Sequence, residues 1–162
     1  CPCGYFGHTG HPCTCTASMV NKYLSRVSGP LLDRLDLHIE VPPVEFDELS
    51  SHIPSESSQS IRTRVNRARA IQHQRFKGTG ITCNARMGTK ELRLYCPMHD
   101  KAQLLLHNAF DHMGLSARAF SRVLKVARTI ADLDQCEVIQ PSHVAEAVQY
   151  RSLDRKYWSR EL

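Results

Sequence analysis

The chain has 162 residues, of which 41% are hydrophobic, and this is enough apolar material for one compact domain with a small appendage, so a wholly disordered chain is excluded. Its formal net charge of +5 favours anionic partners such as nucleotides or nucleic acid without requiring them. No stretch approaches the roughly 20 apolar residues of a membrane span, and the first ten residues lack the apolar core of a signal peptide. We therefore expect a soluble, cytoplasmic protein with no membrane partner.

Four of the seven cysteines lie within the first fifteen residues as two close pairs, Cys1 with Cys3 and Cys13 with Cys15. Zinc takes four tetrahedral ligands, and two cysteine pairs separated by a loop can supply them, so this pattern is a candidate structural Zn²⁺ site. A disulfide framework would spread the cysteines more evenly, and the clustering therefore favours a metal site in a reducing compartment. Only one residue separates the cysteines of each pair, where zinc sites usually have two or more. Unligated thiols in a turn-rich loop are therefore the alternative interpretation.

The next segment predicts helical turns followed by a strand. Apolar residues recur at helical spacing from residue 17, Gly29-Pro30 is expected to break this helix, and a second short helical turn is expected at residues 31–35. Apolar and polar residues then alternate over residues 36–41, which predicts the one strand of the chain. Because a single strand is not stable by itself, residues 1–43 are predicted to be the C-terminal remnant of a larger α/β domain.

Residues 44–56 are rich in serine and contain proline, a composition typical of a linker between two domains. Every later segment predicts helix, and the expected helices cover residues 57–76, 89–95, 100–113, 116–133 and 141–150. The helix at residues 116–133 has the clearest apolar periodicity and should lie at the centre of a bundle. The predicted fold class is therefore mainly α, with a helical bundle in residues 57–162.

The segment SGPLLDR places Arg34 at the end of a helical turn, just before the predicted strand. A guanidinium is planar and permanently charged, which suits it to phosphate oxygens. The alternative interpretation is an ordinary ion pair with Asp33 or Asp36.

Arg118 falls in the first turn of the predicted central helix, where the helix dipole disfavours a cation. A nucleotide phosphate at this helix start would be stabilised by the dipole and by Arg118 together. The alternative is that Arg118 contacts Asp111 or only water.

A basic run follows the predicted linker, consisting of Arg62, Arg64, Arg67, Arg69, Arg75 and Lys77. It could track a phosphate backbone, or it could be the solvated face of an amphipathic helix, so no DNA-binding residue is assigned. The chain contains no G-x-x-x-x-G-K-[ST] segment, and we expect that it does not hydrolyse ATP by itself.

Four segments together resemble the C-terminal half of the ComM/YifB proteins, a magnesium-chelatase-like group of AAA+ ATPases. They are CPCGYFGH with its second pair CTC, SGPLLDRLDLHIEV, GLSARAFSRVLKVARTIADL and IQPSHVAEAVQYRSLDRKYW. The resemblance covers nearly the whole chain. It implies that the AAA+ core with its ATP and Mg²⁺ site lies upstream of Cys1, that the chain is a piece of a longer protein, and that residues 57–162 form the lid domain.

The resemblance also implies a role for each arginine. Arg34, in LLDR, matches the arginine finger that reaches the ATP of a neighbouring subunit. Arg118, in LSARAF, matches the sensor-2 arginine that contacts the γ-phosphate within its own subunit. Family members are understood to form hexameric rings, and ComM-like members act on DNA as motors for branch migration during competence.

Two other functions stay open at this stage. The chelatase relatives of the family drive magnesium insertion into a tetrapyrrole, although the paired-cysteine insert is more similar to ComM. The other alternative is a zinc-stabilised helical DNA-binding module with no ATPase ancestry.

Overall fold

The computed structural model describes residues 1–8, 10–41, 44, 50 and 54–151. The chain divides into two compact units, and the boundary between them falls between Ser51 and His52. Most of the predicted linker at residues 44–56 lies outside the described residues, as do residues 152–162 of the predicted lid domain.

The first unit contains two short helices. Helix α1 covers Ala17–Leu24 and begins after Thr16, whose hydroxyl accepts the N–H of Met19 at 3.3 Å. Its inward residue is Val20, which is buried.

Helix α2 covers Gly29–Leu32, so Gly29-Pro30, predicted to separate two helical stretches, forms the start of the second one. Ser28 is the N-cap, and its hydroxyl accepts the N–H of Leu31 at 3.3 Å. Proline is tolerated here because the first N–H groups of a helix have no partner within the helix. Residues 17–35 thus form two helical stretches, as predicted, but the first ends earlier than expected, at Leu24, and the second begins at Gly29.

The strand predicted at residues 36–41 is not formed, and this segment has no regular secondary structure. A strand requires a neighbouring strand to satisfy its N–H and C=O groups, and in the described part of the chain no other extended segment pairs with it. Ile39 is 66% exposed and Val41 is 81% exposed, whereas His38 is buried. The apolar residues of the predicted alternation are therefore exposed rather than buried against a core.

The second unit is a bundle of α-helices with one short 3₁₀ turn, and its described helices begin and end within about two residues of the predicted bounds. They are α3 at Ser58–Arg75, the 3₁₀ turn at Asn84–Arg86, α4 at Thr89–Tyr95, α5 at Asp100–Met113, α6 at Ala117–Leu133 and α7 at Pro141–Gln149. The mainly α fold class and the helical-bundle domain are confirmed. Among the described residues, no helix combines the length and the apolar character that crossing a bilayer requires.

Helix α6 lies at the centre of this bundle, as its periodicity predicts. It packs against α3, α4 and α7, and α7 also packs against α5. Val123, Ala127 and Ala131 of α6 are 0–1% exposed. Around them lie buried apolar residues from the other elements, among them Phe76, Met87, Leu92, Leu106, Ile139 and Val144. Each large side chain of this kind contributes about 1.5–3 kcal/mol when it is removed from water, so this core holds the bundle together.

A buried ionic cluster joins α3, the 3₁₀ turn and α6. The Asp132 carboxylate accepts two N–H groups of Arg75, the Nε–H of Arg128 at 3.1 Å and the side-chain amide of Asn84 at 2.7 Å. Arg128 also donates to the carbonyl groups of Cys136 and Glu137. The Asp132 and Arg128 side chains are 0% and 1% exposed. Both charges are therefore compensated inside the protein rather than by water.

Candidate functional site

The four N-terminal cysteines lie together in the first unit, as their pairing in the sequence predicts. Their sulfur atoms are all within 4.8 Å of one another. The Sγ of Cys1 lies 3.3 Å from that of Cys3 and 3.6 Å from that of Cys13. All four are free thiols. A tetrahedral zinc ion with Zn–S bonds of about 2.3 Å would separate its sulfurs by about 3.8 Å, so the cluster has the dimensions of a metal site.

Local turns bring the two cysteine pairs to one point. The N–H of Gly4 donates to the carbonyl of Cys1 at 3.1 Å, and the N–H of Phe6 donates to the sulfur of Cys1 at 3.2 Å. Gly4 and Gly7 have φ of +85° and +81°, a backbone region that side chains disfavour. The two glycines therefore let the chain reverse within the short loop between Cys3 and Cys13.

The electrostatics of the cluster favour a bound cation. The backbone N–H of Tyr5 lowers the pKa of the Cys3 thiol to about 6. At Cys13 the N–H of Cys15 lowers the pKa, but burial and the neighbouring Cys3 outweigh it and the pKa is raised. Several thiolates at this spacing repel one another, because each disfavours the charge of the next. A divalent metal ion would remove that repulsion, since metals bind the deprotonated thiol.

Arg34 lies in the first unit, in the turn that follows α2. Its side chain is exposed, and one terminal nitrogen donates to the carbonyl of Pro30 at 2.9 Å. This contact holds the guanidinium beside α2.

Arg118 lies in the second unit, at the second residue of α6, and it is exposed. Ser116 caps this helix, and its hydroxyl accepts the N–H of Ala119 at 3.0 Å. Gly114 ends α5 with φ of +58°, so the chain reverses directly before Ser116. The cap and the reversal fix the helix start, where the positive end of the dipole and a guanidinium lie together.

An apolar cleft of about 420 Å³ lies next to the start of α6. Its walls include Leu106 and Phe110 of α5 and Ala117 and Phe120 of α6. The two phenylalanine rings meet edge to face, with 6.0 Å between their centres. Sequence analysis did not identify this cleft, because its walls come from two helices whose packing no local pattern specifies.

The basic run does not form one surface. Arg75 is turned inward to Asp132, and Arg64 pairs with Glu56 at 2.7 Å on the exposed side of α3. Arg62, Arg67 and Arg69 are exposed. Sequence analysis also missed the burial of Arg128 and Asp132, although their spacing of four residues on one helix face is a signal for an ion pair.

Two family profiles match this chain. The profile described as magnesium chelatase, subunit ChlI C-terminal, matches residues 55–151, and the profile described as magnesium chelatase, subunit ChlI, matches residues 1–49.

Curated relatives align along nearly the whole chain. The YifB protein of Escherichia coli K12 is 41% identical over 155 residues, which cover 95% of this chain and 29% of that protein. The competence protein ComM of Haemophilus influenzae is 39% identical with the same coverage. A Mycobacterium tuberculosis protein is 34% identical over 151 residues, which cover 93% of this chain and 29% of that protein.

The chain thus spans less than a third of the length of these relatives. The ChlI C-terminal profile matches the helical unit, and the other ChlI profile matches the segment that precedes it. The chain belongs to the magnesium chelatase ChlI family, and within it to the ComM/YifB type.

Proposed function

We propose that this chain contributes two phosphate-binding arginines to an AAA+ motor ATPase, which hydrolyses ATP with Mg²⁺ and remodels DNA. The observation that carries the proposal is the position of Arg118, an exposed guanidinium at the second residue of a capped 17-residue helix. A helix dipole and a cation at one point form a favourable anion site, although they disfavour each other when no anion is bound. The adjacent apolar cleft supplies a wall for the base of a nucleotide.

In this proposal Arg118 is the sensor-2 arginine and Arg34 is the arginine finger. Arg118 binds the γ-phosphate in its own subunit, and Arg34 reaches the ATP of the neighbouring subunit in a hexameric ring. Both guanidiniums stabilise the negative charge on the phosphoryl group as it is transferred. The exposure of Arg34 and its fixed position beside α2 suit a residue that acts across a subunit boundary.

The proposed DNA substrate rests on the relatives. One of them, 39% identical to this chain, is named a competence protein. We place the motor in the cytoplasm, where it would drive branch migration of incoming DNA. We also propose Zn²⁺ as the metal of the cysteine cluster, because four thiolates at tetrahedral spacing suit that ion.

The test uses the full-length protein and measures ATP turnover and ATP binding separately. We expect Arg34→Ala to lower turnover by about 10³-fold or more while ATP binding is nearly unchanged, and Arg118→Ala to lower turnover as well. Mixed rings of Arg34→Ala and wild-type subunits should recover part of the activity. Arg93→Ala, which changes an exposed arginine of α4, is the control and should turn over at the wild-type rate. Normal turnover in the Arg34→Ala ring would remove the finger assignment.

A chelatase motor is the second candidate, because both matching profiles carry the magnesium chelatase description. The two candidates differ in what stimulates turnover. Branched DNA should accelerate ATP hydrolysis of a DNA motor, whereas a tetrapyrrole with its chelatase partner subunits should accelerate that of a chelatase motor. Stimulation by the latter alone would replace the DNA proposal.

A further inference from the structure

The loop between the two cysteine pairs presents aromatic rings that the proposed functions do not use. We call residues 4–8 and 10–12 the aromatic loop. Tyr5 is 42% exposed and Phe6 is 39% exposed. The Tyr5 ring lies 5.7 Å from the ring of His8 and 5.0 Å from the ring of His11, measured between centres. The described part of the loop therefore carries three clustered rings and a fourth aromatic side chain beside them.

The backbone of the aromatic loop is organised locally. The N–H of His8 donates to the carbonyl of Tyr5 at 3.1 Å, and the Nδ1 of His8 accepts the N–H groups of Gly10 and His11 at 2.9 and 3.1 Å. None of the described residues of the loop is buried. The loop thus orders its rings without a core, and the side chains of Tyr5 and Phe6 are partly exposed to solvent.

The charge pattern of the sequence that contains the aromatic loop favours a polyanion. The first 32 residues contain no aspartate or glutamate, whereas Lys22 and Arg26 lie in or just after α1. Both are exposed, and the guanidinium of Arg26 lies 5.4 Å from the centre of the Tyr23 ring. Cations interleaved with exposed aromatic rings are typical of surfaces that bind single-stranded nucleic acid, where the cations attract phosphates and the rings stack on bases.

We propose that the aromatic loop is a stacking site for the unpaired bases of single-stranded DNA. Tyr5 and Phe6 supply the stacking faces, the metal on the four cysteines holds the loop in shape, and Lys22 and Arg26 attract the phosphate backbone. Every base has a π face, so the site accepts any sequence. This inference rests on the DNA substrate of the proposed function and assigns a contact surface for it.

The test measures binding of the metal-loaded full chain to a labelled oligothymidylate by fluorescence anisotropy, without ATP. Loss of one aromatic side chain that stacks on a base lowers the affinity about fivefold to hundredfold. The double variant Tyr5→Ala, Phe6→Ala should therefore bind oligothymidylate at least about fivefold more weakly than wild type. The variant Tyr5→Trp, Phe6→Trp should bind as well as wild type, with its indole fluorescence quenched on binding. The control Leu94→Ala, Leu104→Ala removes two residues that are 65% and 62% exposed outside the loop, and it should leave binding unchanged.

An abasic oligonucleotide of the same length separates stacking from charge, because it keeps the phosphates and lacks the bases. We expect wild type to bind the abasic strand at least fivefold more weakly than it binds oligothymidylate. This affinity should equal that of the double alanine variant for oligothymidylate. Equal metal content and equal circular dichroism of all variants exclude a folding defect.

Three results would overturn the inference. They are equal affinity of wild type and the double alanine variant for oligothymidylate, equal affinity of wild type for the abasic strand, and binding of duplex DNA, RNA or anionic vesicles in preference to the single strand. If wild type binds no DNA at all, the DNA substrate of the proposed function fails too. Because no ATP is used, the arginine assignments are judged separately by turnover of the full-length protein.

Discussion

At the scale of single residues, Asp132 compensates one buried and one half-buried cation of the helical unit. Its carboxylate contacts Arg75 from α3 and Arg128 from its own helix, and neither Asp132 nor Arg128 reaches water. Burial lowers the pKa of Arg128, against the charge of Asp132, which raises it. Removal of either charge would therefore destabilise the folded protein, because the remaining charge would be buried without a partner.

We expect Asp132→Asn to lower the free energy of unfolding by about 3–5 kcal/mol, since it leaves the guanidinium of Arg128 buried without a counter-charge. Urea denaturation followed by circular dichroism measures the change. The matched control is Glu56→Gln, which removes the carboxylate from Arg64 in a pair whose side chains are 52% and 44% exposed. Exposed pairs contribute less than about 1 kcal/mol, so equal losses in the two variants would contradict this account of the buried cluster.

The cysteine cluster gives a second prediction at this scale. The protein purified with added zinc should contain about one Zn²⁺ per chain by elemental analysis, and Cys3→Ser or Cys13→Ser should bring this close to zero, because three thiolates bind much more weakly than four. Cys136→Ser is the control, since that thiol lies outside the cluster and contacts the carbonyl of Asp134. A wild-type protein that is folded throughout and free of metal would rule the site out.

At the scale of elements, Ser116 fixes where α6 begins and therefore where Arg118 lies. Its hydroxyl satisfies the N–H of Ala119, one of the first-turn groups that lack a partner within the helix. We expect Ser116→Ala to lower the free energy of unfolding by about 1 kcal/mol, measured by urea denaturation. Ser121→Ala removes a hydroxyl from the same helix, where it only donates to the carbonyl of Ala117, and its effect should stay below about 0.5 kcal/mol. A larger loss in Ser121→Ala than in Ser116→Ala would contradict the capping role.

The elements of the helical unit could be predicted from sequence because their limits are set by local chemistry. Ser116 caps α6, Gly114 ends α5 in a left-handed conformation and Pro141 opens α7, and each acts through its own neighbours. The strand prediction at residues 36–41 was wrong, because a strand forms only beside a neighbouring strand, and the segment's own sequence does not specify one.

The candidate sites, too, were predictable where neighbouring residues determine them and unpredictable where the packing of distant segments does. The cysteine cluster was predictable because both pairs lie within fifteen residues and the loop between them contains the glycines that it needs. The inward position of Arg75 was not, since its partner Asp132 is 57 residues away and only packing of α3 on α6 brings them together. The apolar cleft beside Arg118 depends on helix packing in the same way.

At the scale of the whole molecule, the two units are stabilised by different means. The described apolar core cluster lies entirely within the helical unit, from Phe76 to Ala147 among its buried residues. In the first unit the described buried residues are Val20, Leu32 and His38, a small number for a stable core. A metal on the four cysteines would supply stability that this unit lacks from apolar burial, because metal binding energy becomes folding energy when the site exists only in the folded state.

The consequence is that the helical unit should fold without the first unit and without metal. We expect residues 54–151 produced alone to keep the helical circular dichroism of the bundle and to unfold cooperatively, with a midpoint within a few degrees of the helical transition in the full chain.

In the full chain, a strong chelator should leave that transition in place and increase proteolysis only within residues 1–41, because no metal then links the four thiolates. Limited proteolysis with mass spectrometry locates the cleavage sites. The Asp132→Asn change should lower the midpoint equally in residues 54–151 and in the full chain, since all partners of that carboxylate lie within the helical unit. An unfolded fragment, or loss of the helical transition on chelation, would show that the bundle depends on the metal-bound unit.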